Sequence, residues 1–129
     1  MTFDQAKAAL VQAYLQKARR ALESMHRELD AGDPDQAVSR AYYACFYAAS
    51  AVFVNEGRKF VKHTGLRSAV HLHLVKPGRL STEMGRFYEE LFAARSKAEY
   101  EVEAGFDGAA ATAIGSRARQ FVELMEAFL

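Results

Sequence analysis

The chain has 129 residues, half of them hydrophobic and 26% charged, and this composition predicts one folded domain over residues 1–129. Abundant alanine and scarce β-branched residues favour helices and argue against a β-sandwich or a barrel. With 17 basic and 16 acidic residues the net charge is +1, so the chain as a whole is not a polybasic nucleic-acid binder, although a local basic patch stays open.

The absence of several motifs narrows the function further. The single cysteine, Cys45, excludes an internal disulfide and a zinc site built on cysteines. The chain has no phosphate-loop glycine pattern, no serine nucleophile motif and no histidine pair with metal-site spacing, so neither a cofactor nor a metal is expected. No run of about 18 apolar residues and no apolar leader occur, which predicts a cytoplasmic protein without a membrane partner.

The apolar periodicity first predicts two long helices. The first covers about residues 4–30 and ends at Gly32. The second covers about residues 34–56, with Asp33 as its N-cap and Pro34 at its first position. Apolar residues and alanines surround most of this second helix, which predicts that it is central and buried.

Three more helices follow. A shorter one, which Thr64 is expected to cap, ends near the Pro-Gly pair at 77–78. A fourth covers about residues 82–100, and Asp107 is expected to cap a fifth. The acidic segment 99–107 alternates apolar and polar residues, but a lone strand would have no partner, so we predict a loop. Short connections then predict an all-α, antiparallel up-and-down bundle of four long helices plus one short helix.

A basic segment lies between Glu56 and Glu83, where the chain carries six cations and no acid. Clustered Lys and Arg indicate a phosphate-binding surface, and the alternative is a solvated face balanced in space by the acidic segment 99–107. If RNA binds, we expect it to contact Arg58, Lys59, Lys62 and Arg67.

Arg95 is the second candidate for a functional cation. It follows Leu91 and Phe92 by three or four residues, so it is expected near the packed face of the fourth helix. Arg95 and Glu99 form an i,i+4 pair, and Tyr100 comes next. A cation at the packed face is typical of a functional or interfacial site, and the alternative is a surface ion pair with Tyr100 closing the core.

Three segments resemble the HEPN domain proteins, and especially their small stand-alone branch: SRAYYACF at 39–46, KHT at 62–64 and FYEELFAARSKAEY at 87–100. The resemblance implies a helical up-and-down bundle that is usually dimeric. Many such proteins are partners of minimal nucleotidyltransferases in toxin–antitoxin systems. Others are metal-independent ribonucleases with an R-x4-6-H motif at the dimer interface, in which the histidine helps to deprotonate the ribose 2′-hydroxyl and the arginine stabilises the phosphate.

The sequence departs from the ribonuclease motif. Arg95 matches the arginine, but Tyr100 stands at the nearest histidine position and no histidine follows. A phenol with a pKa of about 10 is a poor general base at neutral pH, so cleavage would need His63 or Glu99 as the base. We therefore expect a nucleotide- or RNA-associated partner of a nucleotidyltransferase, with a degenerate endoribonuclease or a plain interaction scaffold as the alternatives.

The resemblance and the apolar content also predict the surroundings of Arg95 and the oligomeric state. Arg95 should lie beside a concave surface, near Tyr100 and residues of the second helix such as Arg40 or Tyr43. Lys62 and His63 complete the expected binding set. An apolar surplus that includes Phe87, Tyr88, Phe92 and Phe106 predicts a homodimer.

Overall fold

A computed structural model of the chain describes residues 1–103 and 105–129. Its elements are α1 (Phe3–Asp30), α2 (Pro34–Asn55), α3 (His63–Ala69), a π-helix (Val70–Val75), α4 (Thr82–Tyr100) and α5 (Gly108–Glu126). The described residues contain helices and no strand, which confirms the predicted all-α class. Within the predicted loop 99–107, residues 101–103 and 105–107 are outside helices, and Ala104 lies outside the described residues.

Side chains at the helix starts bind backbone N–H groups that have no partner inside the helix. The carboxylates of Asp33 and Asp107 do so for α2 and α5, as the sequence predicted, and the hydroxyl of Ser81 does so for α4. A capping box between Thr2 and Gln5 starts α1 at Phe3, one residue before the predicted start. These bonds fix where the helices begin, and therefore which faces they turn to the core.

The segment after α2 differs from its prediction. The helix α3 begins at His63 with Lys62 at the N-cap position and no side-chain cap, so the prediction that Thr64 is the cap is wrong. Thr64 already lies inside the first turn. The single helix predicted up to the Pro-Gly pair is instead α3 followed by the π-helix, whose wider turn ends with the Lys76 N–H donating to the His71 carbonyl oxygen at 2.8 Å.

The helix α2 lies at the centre of the bundle and contacts α1, α4 and α5. Ser39, near the start of α2, bonds to Glu99 at the end of α4, whereas Arg79, just before α4, pairs with Glu56 just after α2. Helices α2 and α4 therefore run antiparallel. The order α1, α2, α4, α5 forms the predicted up-and-down bundle, with α3 and the π-helix as the short addition.

Part of the apolar surplus that motivated the dimer prediction is used inside the monomer. Phe87 and Tyr88 are buried, and Phe92 and Phe106 are half-buried against the core. The homodimer therefore stays a prediction with less apolar surface behind it than the sequence suggested. In the described part of the chain, no helix combines the length and the apolar character needed to cross a bilayer.

Gly85 of α4 packs closely against Val75 of the π-helix. A Cβ atom at this position would collide with Cγ2 of Val75, so we expect Gly85→Ala to lower the free energy of unfolding by about 1–3 kcal/mol. Gly108→Ala is the matched control, because its Cβ would enter open space and should change stability by less than about 0.5 kcal/mol. Urea unfolding of both variants measures the difference, and equal stabilities would contradict the close packing.

Candidate functional site

Arg95 lies on the packed face of α4 and is only 8% exposed. Its guanidinium carbon sits 4.9 Å from the centre of the Tyr42 ring and 5.7 Å from that of Phe92. Aromatic faces attract a cation, and the attraction grows when water is excluded, so the two rings stabilise this buried charge. The arginine is therefore a core residue that carries a charge, as its position after Leu91 and Phe92 indicated.

Glu99 lies one turn after Arg95 and accepts hydrogen bonds from two helices. Its Oε2 is 3.2 Å from Nη1 of Arg95, and its Oε1 accepts a hydrogen bond of 2.7 Å from the Ser39 hydroxyl of α2. The Arg95 and Glu99 side chains are 10% and 24% exposed, so water screens this pair less than a surface ion pair. The Nε atom of Arg95 is buried without a hydrogen-bond partner among the described residues. Two donors thus converge on one carboxylate, and a third buried donor is unused.

His63 reaches the same place from the start of α3. Its Nδ1 lies 2.7 Å from the hydroxyl of Tyr42, and its ring packs 4.6 Å from that of Phe46. Burial raises the pKa of Tyr42 to about 12, so the phenol keeps its proton at neutral pH. Burial, together with the positive charge of Arg95, lowers the pKa of His63, while Glu99 acts in the opposite direction.

The protonation of this pair determines what His63 offers a ligand. With a lowered pKa, His63 is mainly neutral at pH 7, so one ring nitrogen carries a proton and the other accepts one. If Nδ1–H donates to the Tyr42 oxygen, Nε2 is a base. If the Tyr42 hydroxyl donates to Nδ1, Nε2–H is a hydrogen-bond donor. We name the group of Ser39, Tyr42, His63, Arg95 and Glu99 the Arg95 site.

Two further predicted residues border the Arg95 site. The guanidinium of Arg40 lies 4.9 Å from the centre of the Tyr43 ring, and that ring meets the Tyr42 ring edge-on at 5.3 Å. Tyr43 is also 5.9 Å from the ring of His63. Tyr43 therefore connects Arg40 to the site, although Arg95 itself stacks on Tyr42.

The structure separates the other predicted contacts. Arg67 pairs with Glu89 at 2.6 Å and stacks on Phe92. Arg58 and Lys59 line a cavity of about 320 Å³ whose other residues come from the start of α1 and the end of α2. Lys62 is exposed beside His63, and Tyr100 is 75% exposed. The basic segment is thus divided among several surfaces, and within the described residues no three side chains of His, Cys, Asp or Glu group as metal ligands.

Ser39 and Tyr42 complete the site, and sequence reasoning did not select them. They are three residues apart on α2, so they share the face that α4 covers. Ser39 is 3% exposed and Tyr42 is 0% exposed. Both lie in the SRAYYACF segment that resembles the HEPN proteins, and a buried hydroxyl needs a hydrogen-bond partner, so these two signals could have pointed to them.

A family model described as the HEPN domain matches residues 11–128 of the chain. The chain belongs to the HEPN domain family. The match covers all five residues of the Arg95 site, and it confirms the resemblance that the SRAYYACF, KHT and AARSKAEY segments indicated.

Three relatives show how far the sequence similarity extends. A "UPF0332 protein" of Thermotoga maritima is 33% identical over 94 residues, which are 73% of this chain and 71% of the relative. "Putative toxin MJ0142" of Methanocaldococcus jannaschii is 28% identical over 87 residues, 67% of this chain and 59% of the relative. "Putative toxin MJ0605" of the same organism is 34% identical over 64 residues, 50% of this chain and 48% of the relative. The match therefore spans less than two thirds of either toxin-named relative.

A solved structure has the same fold. The crystal structure of TT1696 from Thermus thermophilus superposes with a TM-score of 0.79 over 92% of this chain and 98% of the other, at 16% sequence identity. At this identity the likeness concerns the fold alone.

The charges around His63 lead to a prediction about its titration. His63 should titrate below its ordinary value of 6.5, and Glu99→Gln should lower that pKa further by removing the opposing negative charge. Because the folded-state pKa lies below the unfolded value, this contribution to stability is complete above pH 6.5 and decreases as the pH falls toward the folded-state pKa.

NMR of the imidazole resonances over a pH series measures this shift. Glu101→Gln, two residues away on an exposed position, is the matched control and should leave the titration unchanged. A His63 midpoint at or above the ordinary value would contradict the described surroundings.

Proposed function

We propose that this HEPN protein binds the phosphate of a nucleotide or of RNA at the Arg95 site. The observation that carries the proposal is the convergence of the Ser39 hydroxyl and the Arg95 guanidinium on the carboxylate of Glu99. A hydroxyl and a guanidinium that hold a carboxylate also suit a phosphate, because both anions present oxygen acceptors of similar geometry. In the absence of a ligand, the Glu99 carboxylate then occupies the position that the phosphate would take.

Ligand binding in this arrangement is an exchange of anions. Glu99 is the more exposed member of the pair, so its carboxylate turns outward when a phosphate oxygen takes its donors. The unused Nε–H of Arg95 adds a donor, and Arg presents its donors as a planar fork. His63, half-buried beside Tyr42, is placed to contact the sugar or the phosphate of the same ligand.

The biological setting we propose is a toxin–antitoxin system in which the protein is a homodimer and the partner of a nucleotidyltransferase. Support comes from the HEPN family itself and from two relatives that carry toxin in their names. Light scattering at micromolar concentration should give twice the monomer mass. A neighbouring open reading frame for a small nucleotidyltransferase, whose product copurifies with this chain, would support the partnership, and a failure to copurify would count against it.

Anion exchange predicts opposite effects for the two members of the ion pair. Glu99→Gln should tighten the binding of a nucleoside monophosphate about tenfold, because it removes the competing charge. Arg95→Lys should weaken binding about tenfold, because an ammonium group cannot replace the fork of donors. Isothermal titration calorimetry at low salt measures both, with uridine monophosphate as the probe.

Matched controls separate binding from folding. Ser39→Ala should weaken phosphate binding, whereas Ser50→Ala should not, because Ser50 is equally buried on α2 but bonds only to the Phe46 carbonyl oxygen of its own helix. Glu101→Gln is the control for a charge change near the site. If Glu99→Gln weakens binding, or if Arg95→Lys leaves it unchanged, the exchange proposal is wrong.

A metal-independent endoribonuclease is the second candidate function. The observation that favours it is that His63 and Arg95 both contact Tyr42, so a histidine from another segment lies beside the motif arginine. A neutral His63 would take the proton of a ribose 2′-hydroxyl, the 2′-oxygen would bond to phosphorus, and the 5′-oxygen would leave with a proton from water. Rapid cleavage of labelled single-stranded RNA that His63→Gln and Arg95→Lys both abolish would establish this candidate in place of a binding-only module.

A further inference from the structure

A basic cleft runs between α1 and α2, and Arg40 is the one lining residue that the sequence had indicated as a candidate. It has a volume of about 280 Å³, and its lining includes Lys17, Arg20 and Arg27 of α1 with Arg40 and Tyr47 of α2. The lining residues include four cations and no acid. We name this surface the α1/α2 cleft.

The charge of the α1/α2 cleft is not balanced by ion pairs. Five salt bridges occur among the described residues, and none involves any of the four cleft cations. By contrast, Arg67 and Arg79 of the basic segment are each paired with a glutamate. An unbalanced group of cations around a concave surface creates a positive potential that attracts an anion, so this cleft is a stronger candidate than the segment with the most cations in sequence.

The length of the cation row indicates a ligand with several phosphates. Positions 17, 20 and 27 lie on one face of α1, because they are separated by three and seven residues. With a rise of about 1.5 Å per residue, they span about 15 Å of helix. A row of this length is longer than one phosphate group, so it fits a backbone that carries several phosphates in succession.

The Tyr47 ring lines the same cleft, and the Tyr43 ring lies next to it against Arg40. The ammonium of Lys17 lies 5.2 Å from the centre of the Tyr47 ring, and the Tyr43 and Tyr47 rings are 6.1 Å apart. Both tyrosines are half-buried, so part of each ring is open to the surface. Cations that follow a backbone, combined with aromatic rings on which bases stack, are the usual means of binding a single strand without sequence preference.

The cleft is continuous with the Arg95 site through one residue. The Tyr43 ring contacts the guanidinium of Arg40, which lines the cleft. The same ring also contacts the rings of Tyr42 and His63 in the Arg95 site. We propose that the α1/α2 cleft binds the backbone of a single-stranded polynucleotide and leads one of its phosphates to the Arg95 site. This inference rests on the proposed function for the choice of ligand, but its contacts are separate residues.

Removal of cleft charges should affect a polynucleotide and spare a mononucleotide. The test variant is Lys17→Gln/Arg27→Gln, and the matched control is Lys76→Gln/Arg86→Gln, which removes the same charge at two exposed positions outside the cleft. Fluorescence anisotropy with a labelled oligouridylate of about ten nucleotides measures binding at two salt concentrations. We expect the cleft variant to bind at least tenfold more weakly, with a slope of log affinity against log salt reduced by about 1.4, or about 0.7 for each lost phosphate contact. Uridine monophosphate should bind as tightly as before.

Three other outcomes would contradict polynucleotide binding by the cleft. Equal losses in the cleft and control variants would overturn the proposal in favour of a general charge effect. Competition by polyglutamate as strong as that by the oligouridylate would instead indicate a surface for an acidic protein. Absence of oligouridylate binding by the unchanged protein at low salt would also overturn it. If the cleft variant loses binding while Arg95→Lys affects neither probe, the cleft stands and the function proposed for the Arg95 site fails.

Discussion

The enclosure of α2 by three other helices is the constraint on which the rest of the structure depends. A helix with neighbours on nearly every side cannot leave its polar groups to water, so each needs a partner inside the protein. The Tyr42 hydroxyl meets His63, the Ser39 hydroxyl meets Glu99, and the Cys45 thiol lies 3.7 Å from the Ala118 carbonyl oxygen. The Arg95 site is therefore assembled by the same requirement that holds the bundle together.

The fold could be predicted from the sequence because helix caps and apolar periodicity are local patterns. Each of three helices begins at a capping residue that binds a backbone N–H group three positions later: Asp33, Ser81 and Asp107. The apolar pattern of α2 predicts its central position. The π-helix was not predicted, because the apolar periodicity of residues 70–75 does not distinguish it from an α-helix. The Thr64 cap was wrong because α3 begins two residues earlier than that cap implies, at His63, whose ring packs against Tyr42 and Phe46.

Only part of the site could be predicted from the sequence, because cations that are neighbours along the chain are not always neighbours in the folded protein. The segment between Glu56 and Glu83 has no acid of its own, yet the fold pairs Arg67 and Arg79 with glutamates from other segments. The cleft cations of α1 are spread over positions 17, 20 and 27, and helical periodicity gathers them on one face. Arg95 was found because its position relative to Leu91 and Phe92 is itself a helical pattern, whereas His63 joins it across 32 residues of chain.

The wide turn at Val70–Val75 connects the number of residues in this segment with the size of the side chain that position 85 can carry. A π-turn holds more residues than an α-turn, so the loss of one residue from this segment would convert it to ordinary helix and rotate Val75 away from α4. The position facing it would then no longer need to be glycine, since nothing would occupy the space that a methyl group requires. A variant of this chain that lacks one residue of Val70–Val75 should therefore accept a larger side chain at position 85, so a deletion and a substitution that each disturb packing alone would be compatible together.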